Sequence, residues 1–399
     1  MQRRPSIRGS QGKPEETAGH TSSPDTKIVT QRLQSLDVLR GSTVAVMILV
    51  NTSGDGAHTY PLLAHSPWNG CTLADVVFPC FLFMVGVSCV FSIDGKLARG
   101  EGKTLIVASA ARRAAILFAF GLAINGFPMF SLHTLRVMGV LQRIALCYLA
   151  ATLVLLFSKT RTISVLLLAI LIGYWILLRW VPVPGMGTPG NTIPFLDPHA
   201  NLPAWLDRNV IPANHLYHLG YYDPEGILST VPAIGSTLLG VLTGVWLRTP
   251  RSLSGRARGL LLASCVCLAS GLIWSHWFPL NKRLWTSSFV VWTGGTSLLA
   301  LWPIFWLVDV RHRMRRAIAP AIVFGKNALA AYIFSEFLAA LLGSIKLRSG
   351  TSLQHWLFHP LAAAFPSLQL AAVAYAGLFV ALCFVPIWAL HRLNIFLKV

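Results

Sequence analysis

Charge is scarce in this chain, and acidic charge scarcest of all. Only 12% of its 399 residues are charged, about half the share of an ordinary soluble domain. That excludes both a fully water-facing surface and an intrinsically disordered chain. The seven cysteines show no disulfide framework: six fall inside apolar stretches and read as small hydrophobes, and Cys71 stands alone. Walker loops, GxGxxG turns, HExxH and CxxC pairs are missing, which argues against ATP-driven transport, nicotinamide chemistry and a zinc hydrolase. No metal site is expected. The first apolar stretch carries Asp37 and Arg40 and no small-residue cleavage pattern after it, so no cleaved leader is expected.

What is present is apolar sequence in long runs. Apolar residues make up 54% of the chain. After a polar, basic tail over residues 1–34, expected to be disordered, come ten apolar stretches. They predict helices at roughly Leu36–Thr52, Thr72–Ile93, Leu105–Asn125, Val137–Phe157, Ile163–Val181, Ile227–Leu247, Gly259–Phe278, Leu284–Val308, Ile318–Ser344 and Leu368–Leu390. Each approaches the ~20 residues that cross ~30 Å of hydrocarbon, and none alternates as a barrel strand would. The expected class is an all-α, polytopic membrane bundle of about ten spans, with residues 35–399 as one transmembrane domain and the bilayer as its first partner.

The basic residues then orient the bundle. With both termini placed in the cytoplasm, 23 of the 33 Lys and Arg lie on that side, seven lie outside and three fall within helices. This is the asymmetry that the positive-inside rule expects. The formal charge of +19 is therefore mostly topology, and no zinc-finger spacing or RNA-binding signature supports a nucleic-acid partner.

Two outside loops carry the polar chemistry: Asn51 to Cys71, and the 45-residue segment Pro182 to Gly226. Long ordered loops over a bundle commonly cover or build a site. The densest polar run is His65–Pro79, which brings His65 to the mouth of the second helix, with Trp68 nearby, Thr72 as a cap and Asp75 one turn in. An imidazole there can take a proton or hold an acyl group; it can also be a hydrogen-bonded loop residue, and Asp75 can simply serve the helix N-terminus. Asp223-Pro224-Glu225-Gly226 has the residue types of a helix start. Asn281-Lys282-Arg283-Leu284-Trp285 opens another helix on the same face, where an interfacial belt of Trp and snorkelling cations is the plainer reading. Arg143, Arg40 and Lys326 lie at membrane depth, where a charge costs ~2.5–3.5 kcal/mol and faces a bundle interior or an aqueous path. Glu336 is an ion-pair candidate for Arg143, and Asp37 for Arg40. Arg40 and Lys326, near Arg112 and Arg113, would form a positive funnel toward the cytoplasm, suited to an anionic cosubstrate. Two functions remain: a transferase passing a group across the membrane, or a small-solute transporter without acyl-transfer chemistry.

Several segments, in order, resemble the heparan-α-glucosaminide N-acetyltransferase family, including bacterial members linked to N-acetylglucosamine utilisation. They are Arg32-Leu33-Gln34-Ser35-Leu36-Asp37-Val38-Leu39-Arg40-Gly41, Val50-Asn51, the His65–Pro79 run, Arg136–Ala145, Asp223–Gly226, Asn281–Ser288 and Phe324-Gly325-Lys326-Asn327-Ala328. The resemblance implies a membrane acetyltransferase that takes an acetyl group from cytoplasmic acetyl-CoA, as cosubstrate, to an amino sugar or glycan on the outer face. It places the active histidine of a His-x-x-Trp-x-Gly-x-Thr-x-x-Asp motif at His65, accompanied by Asn51. Substrate contacts are then expected from Trp68, Asp75, Asp223, Glu225, Asn281 and Lys282, and donor contacts from Arg40, Arg143 and Lys326, with the pantetheine arm passing Arg143. The short tail, where the eukaryotic enzyme has a luminal domain and an extra helix, points to a bacterial amino sugar or cell-wall glycan and to the inner membrane. Acetyl-histidine and direct transfer, N- and O-acetylation, and self-association as a homodimer all stay open.

Overall fold

Each of the ten apolar runs is helical in the computed structural model, which describes residues 33–397 apart from 218, 219, 314, 315 and 349. The basic tail expected to be disordered falls on residues 1–32, outside the described residues, and Gln34 already begins a helix. In chain order the helices are α1 (Gln34–Asn51), α2 (Leu73–Ala98), α3 (Lys103–Gly126), α4 (Val140–Phe157), α5 (Thr160–Trp180), α6 (Leu202–Val210), α7 (Ile227–Leu247), α8 (Leu253–Ser275) and α9 (Ser287–Phe305), which a π-helical turn (Trp306–Val310) continues. Then follow α10 (Ala319–Lys326), α11 (Ala328–Ser344), α12 (Leu353–Ala364) and α13 (Leu368–Arg392). Only isolated β-bridges occur among the described residues.

Among the described residues eight helices are long and apolar enough to cross a membrane, or nine if α10 and α11 make one broken span. α1 has 18 residues but is diluted by Gln34, Asp37, Arg40 and Asn51 and is not one of the eight. The stretch expected as one helix from Ile318 to Ser344 bends by 83° between α10 and α11. The break sits at Asn327, whose side-chain amide is engaged by the segment after α13: Nδ2 donates to the Ile395 carbonyl at 3.1 Å and Oδ1 accepts from Leu397 N–H at 3.2 Å. A side chain so held competes with helix continuation. α6 and α12 were not expected, being short and interrupted by loop-like residues.

Burial separates the bundle into centre and rim. In α2 and α7, 67% of the most apolar window is buried, against 28% in α3 and α5 and 22% in α8. α2 and α7 therefore form the packed centre, and the other three turn most of their surface to lipid. Lipid tails provide no hydrophobic drive between helices, so close backbone approach has to hold them together. Gly86 and Gly240 provide it: a Cβ at either would stand 1.9 Å from a carbonyl oxygen of the opposite helix, Thr237 or Phe83. Gly41 and Gly325 do the same between α1 and α10. The N-terminus of α1 is closed by Asp309 of the π-turn, which accepts from Gln34 N–H and Ser35 N–H at 3.1 and 3.2 Å.

Candidate active site

The loop before α2 folds back onto that helix. The Thr72 hydroxyl donates to the Ala64 carbonyl at 2.7 Å, Ser66 to Asn69 O at 2.8 Å, and Gly70 N–H to Leu280 O at 2.8 Å. Gly70, with φ of +120°, adopts a backbone conformation that side chains avoid. This brings His65 against the first turn of α2, where Asp75 is 1% exposed. Asp75 Oδ2 accepts from Ser66 N–H (3.0 Å) and Thr72 N–H (3.1 Å), while Oδ1 stands 2.9 Å from His65 Nδ1. Two backbone donors fix the carboxylate as an acceptor. It therefore addresses His65 rather than a free ligand, and a proton on Nδ1 would leave Nε2 as the ring's reactive nitrogen.

Lys282 approaches the same pair, its Nζ 3.1 Å from His65 Nδ1 and 3.4 Å from Asp75 Oδ1. Opposite, Arg136 forks onto two carboxylates: Nε donates to Asp223 Oδ2 at 3.0 Å and Nη2 to Glu225 Oε2 at 2.6 Å. Burial opposes the charge on Arg136, but Asp223 and Glu225 more than offset it and raise its pKa. Its guanidinium also lies 4.5 Å over the Tyr217 ring. Asn51, at the end of α1, donates to Glu336 of α11 at 3.5 Å.

These groups surround a cavity of about 260 Å³, called outer after the side expected for its loops and lined by Asn51, His65, Asp75, Arg136, Glu225 and Lys282 together with Tyr332 and other residues. A second cavity, of about 290 Å³, lies toward the other ends of α1 and α2. Ser88, on its wall, is thirteen residues beyond Asp75, about 20 Å along the helix. Arg40, Arg113 and Lys326 line it with Ser92 and Tyr148. Arg40 donates to Ser88 Oγ at 2.6 Å and to Asp37 Oδ1 at 3.2 Å, so the expected helix pair and the expected cavity role coexist. Arg112 is exposed and outside the lining.

Between the two lies an apolar neck of about 10 Å³. It shares Met47, Phe78, Val140 and Tyr332 with the outer cavity and Phe81, Leu141, Ile144 and Leu329 with the inner one.

Four residues expected at the site brace it instead. Arg143 is fully buried and lines neither cavity; its Nη2 bonds Ser229 Oγ and Gly226 O, and its guanidinium lies 5.0 Å over Trp285. It forms no pair with Glu336, which faces Asn51. Trp68 ties the two outer loops, donating from Nε1 to Leu196 O at 2.7 Å. Asp223 anchors Arg136. Asn281 knits its own turn, accepting from Leu284 N–H at 2.8 Å and donating to Asn69 Oδ1 at 3.1 Å. Arg136 and Tyr332 were missed as site residues. Arg136 had a signal, since it opens one of the resembling segments; nothing in spacing marked Tyr332.

Fold and site define a polytopic helical membrane protein with a histidine–carboxylate site at one end of the bundle, a cationic cavity at the other and a neck between. A family model described as "Heparan-alpha-glucosaminide N-acetyltransferase, catalytic" matches residues 32–271. Heparan-alpha-glucosaminide N-acetyltransferase from Homo sapiens is 31% identical over 358 residues, which cover 76% of this chain and 53% of that protein. The Mus musculus protein of the same name is 29% identical over 357 residues, 77% and 54% of the two chains. The chain belongs to this family and carries its membrane N-acetyltransferase catalytic domain. It spans about half the length of the curated relatives it matches.

Proposed function

We propose that the protein transfers an acetyl group from acetyl-CoA, bound at the inner cavity, to the amine of a glucosamine-type sugar or glycan held in the outer one. The observation that carries this reading is the neck. Two polar cavities that meet through shared apolar residues suit a donor whose phosphates stay on one side while a slim arm reaches the other. In the inner cavity Arg40, Arg113 and Lys326 are the partners that CoA phosphates need. The lining of the neck, rather than Arg143, would accompany the pantetheine arm.

At the outer end His65 Nε2 accepts either the acetyl carbon, as a nucleophile, or the proton of the attacking amine, as a base. In both routes the thioester C–S bond breaks, the amide C–N bond forms, and the amine proton ends on the CoA thiolate. Asp75 holds the imidazole in orientation, and Asn51 and Glu225 are placed on the cavity wall to contact the acceptor. The charge asymmetry supports an orientation with both termini and the inner cavity in the cytoplasm, in a bacterial inner membrane.

Purified protein in nanodiscs, given labelled acetyl-CoA with glucosamine, N-acetylglucosamine or muropeptides in turn, tests the reading. Label is expected on glucosamine nitrogen. Label only on hydroxyls would make the protein an O-acetyltransferase. Uptake of labelled N-acetylglucosamine into proteoliposomes without acetyl-CoA, with no acetyl transfer, would replace the reading by transport.

A further inference from the structure

His65 Nδ1 has two close neighbours that ask for opposite things. A neutral ring nitrogen carries either a hydrogen or a lone pair. The Asp75 carboxylate, 2.9 Å away, can only accept. A Lys282 ammonium, 3.1 Å away, can only donate. We propose that Lys282 is a positioning residue that selects the tautomer of His65. As an ammonium it bridges Nδ1 and Asp75 Oδ1, leaving the ring hydrogen on Nε2, where the ring is idle. As a free amine it yields Nδ1–H to Asp75, and Nε2 presents its lone pair to the outer cavity. The inference rests on the acetyltransferase reading, in which Nε2 must be unprotonated to act.

The conversion balances. One ammonium proton passes from Nζ to Nδ1, Nε2 releases its hydrogen to solvent, and the two side chains together lose one proton.

The surroundings of Lys282 favour such a role over that of a mobile surface cation. Its turn is fixed from both sides: Asn281 Oδ1 accepts from Leu284 N–H at 2.8 Å, Thr286 N–H donates to Asn281 O at 3.1 Å, and Asn281 N–H donates to Thr286 Oγ1 at 3.1 Å. Three residues on, Trp285 holds φ of +53° while 1% exposed, a left-handed backbone that a bulky residue adopts only when its surroundings impose it. The charged groups facing the amine are Asp75 from α2, Glu225 from the segment before α7, Arg283 from its own turn, and His65 when protonated. Burial moves the amine below its ordinary pKa and Arg283 adds to this, while Asp75 and Glu225 oppose it.

Two variants and one spectrum test the proposal in the full chain in nanodiscs. Lys282→Met removes the donor, and Lys282→Arg keeps a cation at every working pH. For the unaltered protein, transfer is expected to rise with pH below the ordinary lysine value, tenfold for each unit below the midpoint. Lys282→Met should flatten that limb and raise the rate at its acid end about tenfold or more. Lys282→Arg should lower kcat about tenfold or more at every pH, with the acceptor KM unmoved. Nitrogen-15 spectra of His65 report the tautomer without any acetyl transfer. The expected result is a change from Nε2–H to Nδ1–H across the same range, Nδ1–H throughout in the Met variant and Nε2–H throughout in the Arg variant. One tautomer across the range, or a Met variant with a raised acceptor KM and an unmoved pH profile, overturns the proposal. A tautomer change in a protein that transfers no acetyl upholds it and refutes the acetyltransferase reading instead.

Discussion

The charged side chains of the outer cavity come mostly from loops and those of the inner one from helices, and the two sets are arranged differently. Outside, most charges are answered at short range, His65 and Lys282 by Asp75 and Arg136 by Asp223 and Glu225, while Arg283 donates to the Tyr222 hydroxyl. Inside, Arg40, Arg113 and Lys326 face a cavity whose described lining contains no carboxylate, although Asp37 pairs with Arg40 from behind. Mutual neutralisation suits a site that must hold proton positions fixed through a reaction, because each partner restricts the others. Excess positive charge suits a site that waits for an anion to complete it. Under the proposed function the contrast fits chemistry at the outer end and donor capture at the inner end, and the predictions below test that division.

The largest effect is expected from His65→Ala. With the imidazole gone, acetyl transfer should fall by about 10²–10⁴-fold, while acetyl-CoA binding, read by isothermal calorimetry, stays near its original value. Transfer at an undiminished rate by a folded, inserted variant would remove the chemistry from the outer cavity. Next comes the neck. Leu329→Trp adds bulk where free space is about 10 Å³. A donor held even 1 Å short of reaction costs on the order of 100-fold, so turnover should drop by that much with both cavities still binding. Undiminished turnover would mean that the donor reaches His65 by another path.

This contrast was only partly legible in the residues. The apolar runs announced the helices, because a span has to be apolar for ~20 residues whatever its neighbours. The break at Asn327 was hidden, because it depends on Ile395 and Leu397, some seventy positions later. The site shows the same limit. Sequence gives the depth of a residue in the membrane but not its azimuth around the helix, which turns about 100° per residue. On α4, Ile144 faces the neck and the inner cavity, while its neighbour Arg143 turns to Ser229 and Trp285. His65, Asp75, Asn51, Lys282, Arg40 and Lys326 all line one of the two cavities, and a motif, or a charge at membrane depth, marks them whatever the azimuth. Asp223 and Asn281 lie at the same end of the bundle as His65, but their side chains are spent on Arg136 and on the α8–α9 turn.

A smaller effect is expected in the pH dependence of stability. Asp207 of α6 is buried, and its Oδ1 accepts from Ile227 N–H at 2.9 Å at the start of α7. Burial is the main cause that pushes its pKa up to about 6. For a carboxyl raised in this way, the protonated form is favoured by folding. Its stabilising contribution is full below the unfolded value near 4 and is lost as pH rises through about 6. Asp207→Asn keeps an oxygen for Ile227 N–H and cannot ionise. It should therefore remove this pH dependence and raise neutral-pH stability by at most about 3 kcal/mol. Thermal melts of both proteins between about pH 4 and about pH 8 read it directly. Equal slopes would show Asp207 to be ordinary.

The smallest change is expected at Arg40. Its guanidinium already bonds Ser88 and pairs with Asp37, and Arg113 and Lys326 share the cavity. Loss of one charge-assisted contact is worth about 1.5–3 kcal/mol, and the remaining cations soften that toward the lower figure. Arg40→Ala should thus raise the KM for acetyl-CoA about tenfold and leave the acceptor KM unchanged. The split is what matters, because the two substrates report on opposite ends of the bundle. A tenfold rise in the acceptor KM instead would mean that the cationic cavity receives the sugar, and the roles of the two ends would have to be exchanged.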